Sequence, residues 1–120
     1  MEAQQLTNYL DQVFLATVDR PLGSLHPDWG FEYLLNYGYV AGMPARDGED
    51  QDAYVMGVDE PLATFTGVCI AVILRANDAE GKLVLAPPGT TYSREQIAKA
   101  VAFQERFFES RIILSGERTT

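Results

Sequence analysis

From Gln4 to Thr17, apolar side chains recur at Leu6, Leu10, Val13 and Phe14, and Thr17 continues the same line. This is the three-and-four spacing of one helix face, and it predicts an amphipathic N-terminal helix. Pro21, Gly23, Pro27 and Gly30 then interrupt regular structure. Phe31 to Val40 is aromatic and suits short strands, broken at Asn36 and Gly38. Met43 to Gln51 reads as a loop by its Pro44, Gly48 and acids, and Ala53 to Val58 reads as a strand. Thr66 to Arg75 is an almost unbroken apolar run rich in branched residues, as in a strand covered on both faces. A turn at Asn77 to Gly81 leads to a strand at Lys82 to Ala86, which Pro87-Pro88-Gly89 ends. Ser93 with Gln96 three residues on is a capping-box pattern and starts a second helix. Its buried stripe is expected at Ile97, Ala100, Val101, Phe107 and Phe108, with Arg94, Lys99, Glu105 and Glu109 facing water. Arg111 to Leu114 reads as a last short strand. The pattern predicts a small mixed-connection β-barrel with a helix at each end.

The 120 residues suit one domain, 1–120, and 47% hydrophobic residues suit a folded core. No apolar run nears the roughly 18 residues that span a bilayer. The start Met1-Glu2-Ala3-Gln4-Gln5 has neither the basic nor the apolar part of a secretory signal, so a cytoplasmic location is expected. A lone Cys69 excludes an intrachain disulfide and a multi-cysteine zinc site, and its place in the apolar run predicts an inert core thiol. Seventeen acids against nine bases leave a net charge of −8, which argues against nucleic acid and anionic membrane as partners.

Eight of the seventeen acids fall between positions 47 and 80, where Arg75 is the one base. The densest group is Asp47-Gly48-Glu49-Asp50-Gln51-Asp52. Crowded carboxylates raise the cost of ionising one another unless they splay into water or share a cation. Oxygen-only donors favour a hard cation, magnesium before calcium. The EF-hand pattern fails, because Gly48 is second and Val58 stands where a bidentate acid is needed. A solvated turn and a cation site are equally consistent with this loop alone. Downstream, Glu80 and Lys82 are two apart and share a face in an extended chain, with Asp78 in reach. They read either as a surface ion pair or as a metal ligand beside a cation aimed at an anionic ligand. Tyr33, Tyr37 and Tyr39 form a third group, and His26 reads as a loop residue.

In order, these pieces resemble the soluble, metal-dependent inorganic pyrophosphatases. Asn36-Tyr37-Gly38-Tyr39-Val40 is similar to that family's tyrosine motif, and Asp47 to Val55 to its acidic signature. Glu60-Pro61, the Gly67–Arg75 run and Glu80-Gly81-Lys82 follow in the family's order, and Val18 to Ser24 resembles its early acid-then-proline segment. The resemblance covers residues 18–86. It implies a five-stranded, OB-like closed barrel with outer helices, and hydrolysis of pyrophosphate with magnesium, manganese being able to substitute. It further implies a homo-oligomer. Asp47, Asp52 and Glu80 would be metal ligands, with Asp78 and Asp19 serving further ions. Glu49 stands where the family has the base that activates water; Tyr37 and Lys82 would hold phosphate oxygens, with Tyr33 and Arg20 as further substrate contacts. The alternative is an inactive barrel that keeps a metal or phosphate pocket. Departures favour that alternative. The family has Asp where Glu49 and Glu80 stand, and a lysine-bearing and an arginine-bearing strand before its tyrosine motif. Here Ser24 to Glu32 spans that gap without Lys or Arg, leaving Arg20, Arg46 and Arg75 as candidate substitutes.

Overall fold

The computed structural model describes residues 6–45, 48–76 and 81–117. Its elements are β1 (Val13–Arg20), β2 (Asn36–Pro44), β3 (Asp50–Val55), β4 (Thr64–Arg75), β5 (Gly81–Ala86), helix α1 (Arg94–Glu105) and β6 (Ser110–Leu114). Two short 3-10 turns, Thr7–Tyr9 and Ser115–Glu117, flank them.

The N-terminal helix predicted over 4–17 is not what forms among the described residues. A single 3-10 turn is followed by the eight-residue strand β1. Asp11 adopts a φ of 72°, which no right-handed helix tolerates, and its amide donates to the carbonyl of Cys69 at 2.8 Å. The branched run Val13 to Val18 then alternates, with Ala16 and Val18 buried. Leu6 and Leu10 keep the burial expected of them, but as a plug among Ala16, Val72 and Leu83.

Strands pair in the order β1-β2-β3-β5-β4, and β1 closes on β4, giving a five-stranded OB-like barrel. All pairs are antiparallel except β3 with β5. The twelve-residue β4 pairs with β1 through Thr64–Val68 and with β6 through Ala71–Arg75, so β6 is a sixth strand outside the closure. Side chains pointing inward, such as Ala53, Cys69, Leu83 and Leu85, fill the barrel. Those pointing outward on β3, β4 and β5, including Tyr54, Ala71, Ile73, Val84 and Ala86, form a second core under α1 with Ile97, Val101 and Phe103.

Helix α1 begins where its capping box predicted. The Gln96 amide donates to the Ser93 hydroxyl, and the Ser93 amide donates to the Gln96 side chain. Its end differs from expectation. Gln104 and Glu105 are buried, whereas Phe107 and Phe108, expected in the core, are exposed. Among the described residues no helix is long and apolar enough to cross a membrane.

The tyrosine motif has a structural logic of its own. Asn36 is fully buried; its side chain accepts from the amides of Leu22 and Leu62 and donates to the carbonyl of Glu60, tying two loops to the start of β2. At Gly38 a Cβ would fall 1.8 Å from the Thr17 carbonyl oxygen. Only glycine lets β1 and β2 approach there. With those two residues serving the backbone, Tyr37 between them points the other way, out of the barrel.

Candidate functional site

Strand register assembles the site. Arg20 pairs with Tyr37 across β1 and β2. Tyr39 pairs with Asp52 across β2 and β3. Ala53 is level with Leu83 in the parallel β3–β5 pair, so the preceding residues Asp52 and Lys82 stand side by side on the outer face. The buried Gln51 fixes that alignment, since its side chain donates to the Gly81 carbonyl at 2.6 Å. The result is a cavity of about 330 Å³ on the outside of the barrel, between the strands and the end of α1.

One part of its wall is polar and charged, from Asp19, Arg20, Tyr37, Asp52, Arg75 and Lys82. Lys82 Nζ lies 2.6 Å from Asp52 Oδ2 and 5.8 Å from the centre of the Tyr37 ring. Lys82 is buried and Asp52 half-buried, so the pair is screened from water on one side only.

Behind this wall runs a buried hydrogen-bond chain. Tyr33 donates to Gln104 Oε1 at 2.9 Å, Gln104 donates to the Tyr54 hydroxyl at 2.8 Å, and Tyr54 donates to Glu105 Oε2 at 2.6 Å. Arg75 closes it with two bonds to Glu105, at 3.1 and 2.8 Å. Burial works against the Arg75 charge, but the hydrogen bonds and charge of Glu105 outweigh it and hold its pKa above the usual arginine value. The Arg75 guanidinium also lies 3.6 Å above the Phe108 ring. This chain fixes the end of α1 to β3 and β4, and so sets one side of the cavity.

Burial raises the pKa of three tyrosines here. For Tyr37 the Asp52 carboxylate adds to the rise, and for Tyr54 the Glu105 carboxylate does; for Tyr33 the charge of Arg20 partly opposes it. Tyr37 therefore remains a hydrogen-bond donor at neutral pH. Spectrophotometric titration should find the Tyr37 and Tyr54 phenols still protonated in the folded chain above the ordinary value of 10.0. A raised folded pKa means that the unfolded chain releases these protons first, so stability should fall as pH climbs past 10. Phenolate absorbance that reaches the full amplitude of all six tyrosines at the ordinary pH, without loss of near-UV circular dichroism, would contradict this burial. The Cys69 thiol is pushed up to about 12, chiefly by burial, which agrees with an inert core residue.

The cavity thus brings together Asp19, Arg20, Tyr33, Tyr37, Asp52 and Lys82 from the residues singled out in the sequence. Glu49 is exposed in the turn before β3 and does not line it. Asp47, Asp78 and Glu80 lie outside the described residues. Among the described residues no three His, Cys, Asp or Glu side chains converge as a metal site. Asp19 and Asp52 are oxygen donors on the wall, the type a hard cation takes. Arg20, the last residue of β1, is one of the cations that line the cavity. Nothing in the local pattern marks Gln104, Glu105, Trp29, Phe107 and Phe108 as part of this region, because their partners are distant in the chain.

The backbone is similar to solved inorganic pyrophosphatases. Agreement with the protein from Ehrlichia chaffeensis has a TM-score of 0.69 at 12% identity, covering 89% of this chain and 88% of that one. For the protein from Coxiella burnetii the TM-score is 0.63 at 14% identity, over 90% of each chain. For that from Helicobacter pylori it is 0.61 at 16% identity, over 85% and 82%. At such identities the likeness establishes the shared barrel fold. No family model matches the sequence, and no curated protein matches it.

Proposed function

We propose that this chain hydrolyses the phosphoanhydride bond of inorganic pyrophosphate, assisted by magnesium. The observation that carries the reading is the convergence of Arg20, Tyr37, Asp52 and Lys82 from four strands on one cavity of a pyrophosphatase-like barrel. The substrate is a dense polyanion. Arg20 offers a planar fork suited to two phosphate oxygens, Lys82 a compact ammonium, and Tyr37 a protonated phenol that donates to a third. Asp52, with Asp47 and Glu80, is the proposed donor set for the cation, and Asp78 is the proposed donor for a further one and Asp19 for another. When bound, such a cation neutralises substrate charge and eases deprotonation of water. In the reaction a water oxygen bonds to one phosphorus and the bridging P–O bond breaks. The electron pair goes to the departing phosphate and one water proton passes to a base, for which the resemblance nominates Glu49. Positioning and charge supply most of the acceleration in such transfers.

The test is phosphate release from pyrophosphate by the purified chain, with and without magnesium. Release only with magnesium supports the reading, and none in either condition rejects it. A second reading, a binding module without turnover, draws on Glu49 standing outside the cavity wall. It expects pyrophosphate binding without phosphate release.

The cation has its own consequence. A ligand that binds only the folded state adds RT ln(1 + [L]/Kd) to stability, about 2.7 kcal/mol at a hundredfold excess over Kd. Millimolar magnesium should raise the Tm, and Asp52→Asn should abolish the rise. A melting curve unchanged by magnesium and by manganese removes the cation from this site.

A further inference from the structure

The cavity has two chemically different halves. Arg20 and Lys82 face it from the strands, while Trp29, Phe107 and Phe108 form its rim. Those three rings are 63%, 44% and 40% exposed. They are not scattered. The edge of one of the pair Trp29 and Phe107 meets the face of the other at 5.2 Å, and Phe31 stacks on Phe107 at 5.6 Å, making a packed aromatic shelf. Phe108 joins the shelf to the charged half through the Arg75 guanidinium at 3.6 Å.

Inorganic pyrophosphate has only phosphoryl oxygens, so it offers nothing for an aromatic face to bind. The cavity volume of about 330 Å³ falls within the range of about 300–1,000 Å³ typical of sites for drug-sized organic ligands. We infer that the preferred ligand of this site is an organic di- or polyphosphate, whose planar aromatic group lies on the exposed Trp29 ring, which Phe107 supports from the side, while Arg20 and Lys82 hold its phosphates. Charge complementarity selects that occupant. A shelf for an apolar partner needs no cations beside it, and a pocket for a bare anion needs no exposed rings. Every nucleobase has a π-face, so stacking on Trp29 accepts a nucleotide without demanding one base. The net charge of −8 disfavours a polynucleotide, whereas a mononucleotide meets only the local cations.

The inference rests on the proposed phosphoanhydride hydrolysis and narrows its substrate. In that reaction water oxygen bonds to the terminal phosphorus and the bridging P–O bond breaks. The electron pair stays with the nucleoside phosphate, and one water proton passes to the base.

Trp29 is the sole tryptophan, so intrinsic fluorescence reports the shelf directly. The full chain with magnesium is titrated with adenosine diphosphate, pyrophosphate and adenosine. Adenosine diphosphate should change Trp29 emission and bind at least about fivefold tighter than pyrophosphate, since one stacked base contributes about five- to 150-fold. Adenosine, lacking phosphates, should bind more weakly than the diphosphate. Trp29→Ala and Phe107→Ala, followed by calorimetry, should bring the ratio of the two affinities toward one, and Phe107→Tyr should keep it. Pyrophosphate binding without preference for the diphosphate overturns this inference and leaves the hydrolase reading standing. A preference that survives Trp29→Ala also overturns it. Binding of neither phosphate rejects the hydrolase reading, and this inference with it. If Trp29→Ala instead dissociates an oligomer and the diphosphate leaves emission unchanged, the shelf is a contact between copies and the inference fails.

Discussion

Lys82→Met should lower pyrophosphate turnover by about 10²–10³-fold, the usual loss when one preorganised donor to a developing charge is removed. The side chain is buried at the start of β5, so its direction is fixed by packing and not by solvent. Its ammonium lines the cavity beside Asp52, where a phosphate oxygen would sit. Methionine keeps most of the stem and removes the charge. A contact that strengthens as the bridging bond breaks lowers the barrier, so kcat should carry more of the loss than KM. If Lys82 is instead only the ion-pair partner of Asp52, turnover and pyrophosphate affinity should both survive the change. That result, on a variant shown to be folded, would take Lys82 out of the chemistry and leave it a structural role.

Glu105→Gln should destabilise the fold by about 3–5 kcal/mol, the cost of removing one partner of a buried ion pair. For a chain of this size that is on the order of 10–25 °C in Tm. Glu105 accepts two bonds from Arg75 and one from Tyr54, all buried, and it is the point where α1 is fixed to β3 and β4. The loss should reach the cavity as well, because Phe107 and Phe108 follow Glu105 after a single residue, Arg106, and line the rim. Replacing the pair together, as Arg75→Met with Glu105→Leu, should recover much of the stability, since apolar groups of similar volume need no counter-charge. Thermal melts of the three proteins check this. A loss under about 1 kcal/mol for Glu105→Gln, the range of an exposed ion pair, would mean that water reaches the site.

Much of the barrel is legible in the chain. The branched apolar run that becomes β4 has no other plausible reading at its length, and the Pro87-Pro88-Gly89 stop and the Ser93–Gln96 cap bound β5 and α1 by local chemistry. Asn36-Tyr37-Gly38 is also local in part. An asparagine that ties loops and a glycine that allows close strand approach leave the tyrosine between them on the outer face. β3 begins inside the acidic signature, at Asp50 and ahead of the strand expected from Ala53, and it delivers Asp52 to the cavity, while Asp47, Asp78 and Glu80 fall outside the described residues.

Sequence by itself therefore determined the succession of strands from the acidic loop onward, the start of α1 and the place of Cys69 in the core. Those are decided by near neighbours, through alternation, capping and turn residues. Tertiary structure alone decided the rest. Leu6, Leu10, Val13 and Phe14 fit a helix line, yet β1 forms because Asp11 turns the chain and β2 and β4 supply partners for its backbone. Glu105 reads as a surface residue until Arg75, thirty positions away, gives it a buried counter-charge. Phe107 and Phe108 read as core, but the helix ends before their turn reaches it, and they open onto the cavity instead. Arg20 reaches the cavity only because the register of β1 sets it beside Tyr37. In each case the local pattern specifies how apolar a position is, whereas the partner that buries or exposes it comes from a part of the chain that only folding brings near.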